Sequence, residues 1–387
     1  MNSLIAIFSD LFYIIKGKYT KNKSTEYKFA FLVHSRNYRD IYRKYPGLKF
    51  VPKKIILFIM NHLWPITLSH ITGLNSSIHN GKELKGYVLG ITMTANQIMS
   101  QRPYALKKIR QALYLAKGKG IKIIGLGGLT SSISRGGLDL IDIDINITTG
   151  HAYTAYNIYR NISKITDIIG IAKNKLKIAV VGAAGSVGST VSLLIARDGY
   201  TSITLIDLKR KDGNVCELEN QIKKINPNIE IKKSNNISDI TCCDFVVTAT
   251  NTPEALVTVD IVRDGMIIID DAQPSDIHPD VLKLKNILVI EAGVVHTPNI
   301  KSNFDYGLKN KTDNFCCMAE LLILASHEWK SNYVINRAKI KEVDEISEMG
   351  NSLGFTLASF QNFLESITHD KIEYVKSLAI KKHGISI

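Results

Sequence analysis

The chain holds only five cysteines in 387 residues, and their arrangement excludes more than it suggests. Cys216 stands alone, while Cys242–Cys243 and Cys316–Cys317 are vicinal pairs. An odd count in that pattern is not a secreted disulfide framework, and without a C-x-x-C spacing it implies no metal site. A reducing, cytoplasmic compartment is the expectation. No zinc-finger, RNP or KH signature is present, so nucleic acid is not an expected partner. No internal repeat or low-complexity linker interrupts the chain. Nor is the opening stretch expected to be a secretory leader. The opening "MNSLIAIFSDLFYIIKGKYTKNK" lacks a basic n-region and a small-residue cleavage site, and Asp10 interrupts its apolar stretch. A second apolar stretch, "KKIILFIMNHLWPITL", holds Asn61, His62 and Pro65 and is too short to cross a bilayer.

What the chain does have is positive charge. Lys and Arg number 49 against 35 Asp and Glu, a net +14, and residues 1–60 carry 12 basic side chains against 3 acidic ones. Such a front end suits an acidic protein or an anionic membrane surface. Leu4, Ile5, Ile7, Phe8, Leu11, Phe12, Ile14 and Ile15 share one helical face, and Lys16, Lys18, Lys21 and Lys23 follow. Residues 1–24 therefore read as a basic amphipathic segment. It either lies in a membrane interface or packs on its own domain.

From residue 25 to 172, short apolar strands alternate with helical stretches, as in an α/β layer domain. "KFAFLVH", "GYVLGIT" and "IKIIGLGG" read as strands, "PYALKKIRQALYLAKGKG" as a helix and "LTSSISRGG" as a loop. The helix beginning "AYTAYNIY" is expected to bridge to a second domain, residues 173–303. There a β-branched strand runs into Gly182, Gly185 and Gly188, then a helix to Arg197 and a strand ending at Asp207. Strand, glycine turn, helix and strand together form the dinucleotide-binding βαβ unit of a Rossmann doubly wound parallel sheet. The turn residues Ala184, Ser186 and Val187 are candidate cofactor contacts, as are Thr250, Asn251 and Gly293 at the ends of later strands. Two signals compete over the cofactor. Asp207 suits the ribose hydroxyls of NADH, whereas Lys209 and Arg210 suit the 2′-phosphate of NADPH. Residues 304–387 are expected to be helical.

The run "NFCCMAELLILASHEW" (314–329) places two cysteines at the head of an apolar helix. "TDN" before it is expected to cap that helix, whose positive end would favour a thiolate. Buried packing is the competing reading for both thiols. Glu320 lies one turn on, where it would either transfer a proton or fix the helix.

Taken together, "GLGGLTSS" (125–132), "ITTGHAYTAY" (147–156), "VVGAAGSVGS" (180–189), "AGVV" (292–295) and "FCCMAE…EW" (315–329) resemble the long-chain acyl-[acyl carrier protein] reductases, aldehyde-forming enzymes best known from cyanobacteria. The resemblance runs from about Gly81 to Trp329. It implies a cysteine nucleophile at Cys317, with Cys316 in the variable position before it. It also implies NADPH as cofactor, NADH being the alternative, and an acyl carrier protein or acyl-CoA as acyl donor. Ser131 and Ser132 in the glycine-rich loop are candidates for the wall of an oxyanion site. His151 is a candidate catalytic residue, although the cyanobacterial pattern has asparagine there and histidine where this chain has Tyr153. The basic N-terminal segment is not part of that pattern. A glutamyl-tRNA-reductase-like or shikimate-dehydrogenase-like oxidoreductase is the alternative enzyme. The former places its cysteine in the N-terminal domain, where this chain has none before Cys216. A membrane-docked NAD(P) sensor is the non-catalytic alternative, and a homo-oligomer is compatible with each reading.

Overall fold

The Val-, Ile- and Phe-rich runs of the first 150 residues suit parallel strands covered by helices, because such strands are apolar on both faces. The computed structural model describes residues 3–252, 254–272 and 274–385. Its first part runs α1 (Ser3–Tyr19), β1 (Lys28–Ser35), α2 (Arg39–Lys44), α3 (Lys53–His62), β2 (Ile66–Thr72), β3 (Lys85–Thr94), α4 (Ala95–Ser100), α5 (Arg102–Gly118), β4 (Ile123–Leu126), α6 (Leu129–Ile133) and β5 (Asn146–Thr148). Strands β3, β1, β4 and β5 are parallel neighbours, and β2 joins the edge antiparallel to β3. The expected "LTSSISRGG" loop contains the short helix α6, which Thr130 helps close by donating from its hydroxyl to the Gly127 carbonyl.

Helix α1 is part of this layer. Ile14 belongs to the core, and Asp10 is buried, accepting from Thr67 N (2.6 Å) and pairing with Lys119 (2.8 Å). A Cβ on Gly17 would lie 1.9 Å from the Tyr114 carbonyl oxygen, so α1 and α5 approach as closely as backbones can. The expected single apolar face is therefore divided. Ile14 points inward while Phe8, Phe12 and Ile15 are exposed; the side chains of Leu4 and Ile5 lie outside those described. The division arises because eight apolar residues cover a wider arc than one neighbouring helix can bury.

The second part follows with α7 (His151–Ile169), β6 (Lys177–Val181), α8 (Ser186–Arg197), β7 (Ser202–Ile206), α9 (Asp212–Ile225), β8 (Glu230–Ser234), β9 (Phe245–Thr248), β10 (Ile267–Asp270), α10 (Pro279–Leu282) and β11 (Leu288–Glu291). The order β8-β7-β6-β9-β10-β11, parallel throughout, is the doubly wound arrangement. Its ladder is long and apolar, with Val180 paired to Leu205 on one side and Val247 on the other.

Beyond it come β12 (Val294–His296), β13 (Lys301–Ser302), β14 (Asp313–Phe315), α11 (Cys316–Ser326), α12 (Ile340–Ser352), β15 (Thr356–Leu357) and α13 (His369–Lys382). This stretch is not a helical domain of its own. The chain divides into a first unit of Met1–Gly150, His296–Asn336 and Glu348–Phe355, and a second of His151–Val295, Arg337–Ser347 and Thr356–Ile387. Helix α11 packs on β4 and β1, and β13 pairs with β2, so both complete the first layer. Lys382 and His383 at the end of α13 instead pair with Asp244, completing the second. The expected bridging helix α7 belongs to the second unit, where its buried face packs on α8.

Candidate active site

Cys316 and Cys317 are the first two residues of α11, whose N-cap is Phe315. The expected "TDN" cap does not form, because those side chains are committed elsewhere. Asp313 accepts from His296 Nδ1 (3.1 Å) and Asn310 Nδ2 (3.0 Å), and Asn314 Nδ2 donates to Thr297 Oγ1 (2.6 Å). Cys316 is buried, and Cys317 is half-buried.

The "TTG" loop after β5 lies directly on Cys317. Gly150 has φ +80°, and a Cβ there would sit 2.2 Å from the Cys317 Cβ. Only glycine satisfies both the conformation and the approach. Glu320, fully buried one turn along α11, holds the loop in place. Its Oε1 accepts from the Gly150 N–H (2.9 Å) and from the Thr148 hydroxyl. Thr148 lies in the "ITTGHAYTAY" segment, but its bond to Glu320 closes across 172 positions and leaves no local signal.

The glycine-rich loop follows β4, at the same carboxyl edge of the parallel strands, where α/β sheets bind ligands. A Cβ on Gly125 would meet Leu321 of α11 at 3.0 Å. Ser131 is buried on α6, and its carbonyl accepts from Gly136 N (2.8 Å). His34, unremarked in the sequence, accepts at Nε2 from Leu129 N (3.2 Å), and its Nδ1 lies 3.2 Å from the Ser35 carbonyl. Burial lowers its pKa, in keeping with a neutral ring that accepts at one nitrogen and donates at the other. Tyr306 is a second unforeseen neighbour. Its ring packs between Phe31, Phe304 and Phe315, two residues before Cys317. Burial, with a smaller contribution from Cys317, raises the phenol well above its ordinary value. On a separate face of this unit, a cleft of 490 Å³ is lined by Asn22, Tyr27, Lys122, Asp144 and Trp329 and contains none of these groups.

In the second unit, the glycine turn has the form that a pyrophosphate needs. Gly182 has φ +81°, and a Cβ on Gly188 would lie 2.3 Å from its carbonyl oxygen, so helix and strand meet without side chains. Ala184 is buried, and Ser186 and Val187 open α8, whose first N–H groups favour an anion. Asp207 is buried and accepts from Ala184 N (2.8 Å) and Leu208 N (2.8 Å), with Lys211 at 3.3 Å. It thus supports the glycine turn, while Lys209 and Arg210 are exposed just beyond it. Arg337 was not foreseen. It donates to the Ala184 carbonyl (2.9 Å), bringing a guanidinium to the phosphate loop across 153 positions. Thr250 donates to Asp276 (2.6 Å), Asn251 is exposed, and Gly293 gives the Asp271 carboxylate room, since a Cβ there would lie 2.8 Å from it. Burial pushes Asp270 up to about 6 and Asp276 up to about 7. Asp271 is raised well above the usual range by burial and by the charges of Asp270, Glu291 and Asp276. His151 opens α7 and falls in this second unit. Among the described residues no group of three or more His, Cys, Asp or Glu could hold a metal ion.

Residues 176–255 match the family described as lactate/malate dehydrogenase, NAD binding domain. The chain is 25% identical over 310 residues to the long-chain acyl-[acyl-carrier-protein] reductase of Synechococcus elongatus, a match covering 74% of this chain and 84% of that protein. It is 23% identical over 306 residues to aminotransferase PigE of a Serratia species, covering 76% of this chain and 35% of PigE. The chain thus spans about a third of PigE. Among solved structures, quinate dehydrogenase from Corynebacterium glutamicum in complex with NAD aligns with TM-score 0.37 and 11% identity, over 84% of this chain and 99% of that one. The NAD-dependent malic enzyme of Thermotoga maritima aligns with TM-score 0.41 and 10% identity, over 91% and 84%. The matched domain and the glycine turn show a nicotinamide-dinucleotide-binding domain in the second unit.

Proposed function

We propose that the chain reduces an acyl thioester to an aldehyde through an acyl-enzyme on Cys317. The observation that carries this reading is the corner formed by Cys317, Gly150 and Glu320. Two distant segments of the family resemblance, "TTG" and "FCCMAE", are joined there by backbone contact and a buried carboxylate.

The Cys317 thiolate attacks the thioester carbon, and the tetrahedral oxyanion collapses by breaking the bond to the carrier sulfur. The carrier leaves as a thiol after gaining a proton, and the acyl group stays on Sγ. Bound reduced nicotinamide supplies the hydride that converts this thioester to a hemithioacetal. Breaking the carbon–Sγ bond then releases the aldehyde and restores the Cys317 thiolate. One thioester, one reduced nicotinamide and one proton yield one aldehyde, one thiol and one oxidised nicotinamide.

The first-turn N–H groups of α11 and the Tyr306 hydroxyl are the class of donor that the oxyanion requires. Glu320 acts as a positioning residue, holding Gly150 and Thr148 so that the loop leaves room at Cys317. Gly182, Gly188 and the start of α8 hold the pyrophosphate, with Arg337 beside them. Asp207 would take the ribose hydroxyls and Lys209 and Arg210 would receive a 2′-phosphate, which keeps NADPH and NADH both within the reading. An acidic acyl carrier protein suits the net charge of +14, and acyl-CoA is the other donor.

The test is product stoichiometry. Purified protein with acyl-CoA or acyl carrier protein thioesters and NADPH or NADH should release aldehyde and free thiol in equal amounts, matched by nicotinamide oxidation. Nicotinamide oxidation without aldehyde, or no turnover with any acyl length, overturns the reading.

A further inference from the structure

The first unit presents an apolar surface that its own core does not use. Phe8 and Phe12 on α1 are 62% and 64% exposed, and Phe50, just before α3, is 92% exposed. Ile55, Phe58 and Ile59 on α3 are also exposed, while Ile56 and Met60 of the same helix are buried. Trp64 links the two helices. It stands two residues beyond α3, its Nε1 donates to the Ile7 carbonyl (2.9 Å), and its ring lies 5.8 Å from that of Phe8.

The exposed charges described on α1 and on residues 45–62 are all basic. Lys16, Lys18, Lys49, Lys53 and Lys54 are all exposed. The sole acid of α1, Asp10, is buried against Lys119, and residues 45–62 contain no acidic side chain. A second copy docking through the same patch would bring two positive faces together, which disfavours a symmetric dimer. Exposed phenylalanines ringed by lysines fit a surface that is apolar below and anionic above.

From this arrangement we infer that α1 and α3 together dock the first unit on the surface of an anionic lipid bilayer. The lysines meet headgroups while the phenylalanines enter the acyl boundary. Among the described residues no helix is long and apolar enough to cross a membrane, so the contact is peripheral. Because α1 is locked to α5 through Gly17 and to β2 through Asp10, the surface is a face of the fold and not a detachable anchor.

The experiment is co-sedimentation of the full chain with vesicles of phosphatidylcholine, alone or with about 30% phosphatidylserine, at low and high salt. Binding should need the anionic lipid and weaken with salt. Each lysine at such a surface is worth about fivefold, so Lys16→Gln, Lys18→Gln and Lys54→Gln together should weaken binding roughly 100-fold. Phe12→Ser, Phe50→Ser and Phe58→Ser together should do so by at least about 100-fold, because each removes a buried aromatic. Both triple variants should melt as the parent does, since every altered side chain is exposed. A chain that stays in the supernatant at low salt overturns the inference. So does equal binding to neutral vesicles, or a solution dimer that the phenylalanine variants dissolve while vesicle binding is absent. Capture by an acidic carrier protein that is lost in the phenylalanine variants, without vesicle binding, also overturns it.

Discussion

Gly150→Ala isolates the contact on which the active-site reading depends. The new methyl group would lie 2.2 Å from the Cys317 Cβ and 2.4 Å from its Cα. Carbon atoms prefer about 3.5–4.0 Å, so the loop and the start of α11 must separate by more than about 1 Å. The residue also sits at φ +80°, which costs a side chain about 1–2 kcal/mol. Overpacking adds about 1–3 kcal/mol. The summed loss, about 2–5 kcal/mol, lowers the melting temperature by several degrees or more without unfolding a chain of this size. The chemical effect is larger, since misplacing a reacting atom by about 1 Å costs on the order of 100-fold. Gly170→Ala is the control. Its φ is +69°, but nothing lies within 4 Å of the added Cβ. It should show the strain, about 1–2 kcal/mol, with no kinetic change. The assay is the rate of thiol release from an acyl thioester in single turnover, beside thermal melting. If Gly150→Ala acylates within twofold of the parent, the loop does not set the geometry at Cys317 and the reasoning fails.

Glu320→Gln keeps an acceptor oxygen for Gly150 and Thr148, so acylation should fall less than about tenfold, whereas Glu320→Ala should lose about 100-fold. Equal, severe losses in both would show that the carboxylate handles a proton. Asp207→Ala should shift the ratio of kcat/KM values toward NADPH, because Lys209 and Arg210 stay to attract a 2′-phosphate; an unchanged ratio would place Asp207 outside ribose recognition. The pH dependence of stability follows from Asp270 and Asp276, raised to about 6 and about 7. The folded state binds their protons more tightly than the unfolded chain does, so stability falls as pH rises from about 4 to about 7 and then levels off. Asp276→Asn should flatten that fall, by at most about 4 kcal/mol, in melting curves recorded from pH 5 to 8. An equal slope in parent and variant contradicts the assignment.

The elements that could be read in advance are those whose signals are local. The glycine turn, its flanking strands and α8 occupy one continuous stretch, and Cys317 opens its helix as the apolar run implies. What was hidden is carried by long-range contacts. The Glu320–Thr148 bond spans 172 positions and the Arg337–Ala184 bond 153, so neither had a spacing to betray it. The cap expected from "TDN" failed for the same reason, since His296, Thr297 and Asn310 claim its polar side chains. Unit boundaries were obscured because α11 returns to the first sheet while the end of the chain returns to the second. The N-terminal helix carries enough apolar residues to bury Ile14 and still expose Phe8, Phe12 and Ile15, which a single amphipathic face could not express.

The central claim is that Cys317 carries the acyl group, and intact-mass spectrometry tests it most directly. Parent protein incubated with an acyl thioester and no nicotinamide should gain the mass of one acyl group, located by peptide mapping on Cys317. Added NADPH or NADH should discharge it as aldehyde. Cys316→Ala should retain the adduct and Cys317→Ala should lose it. An adduct that persists in Cys317→Ala, or that maps to Cys216, Cys242 or Cys316 in the parent, contradicts the account.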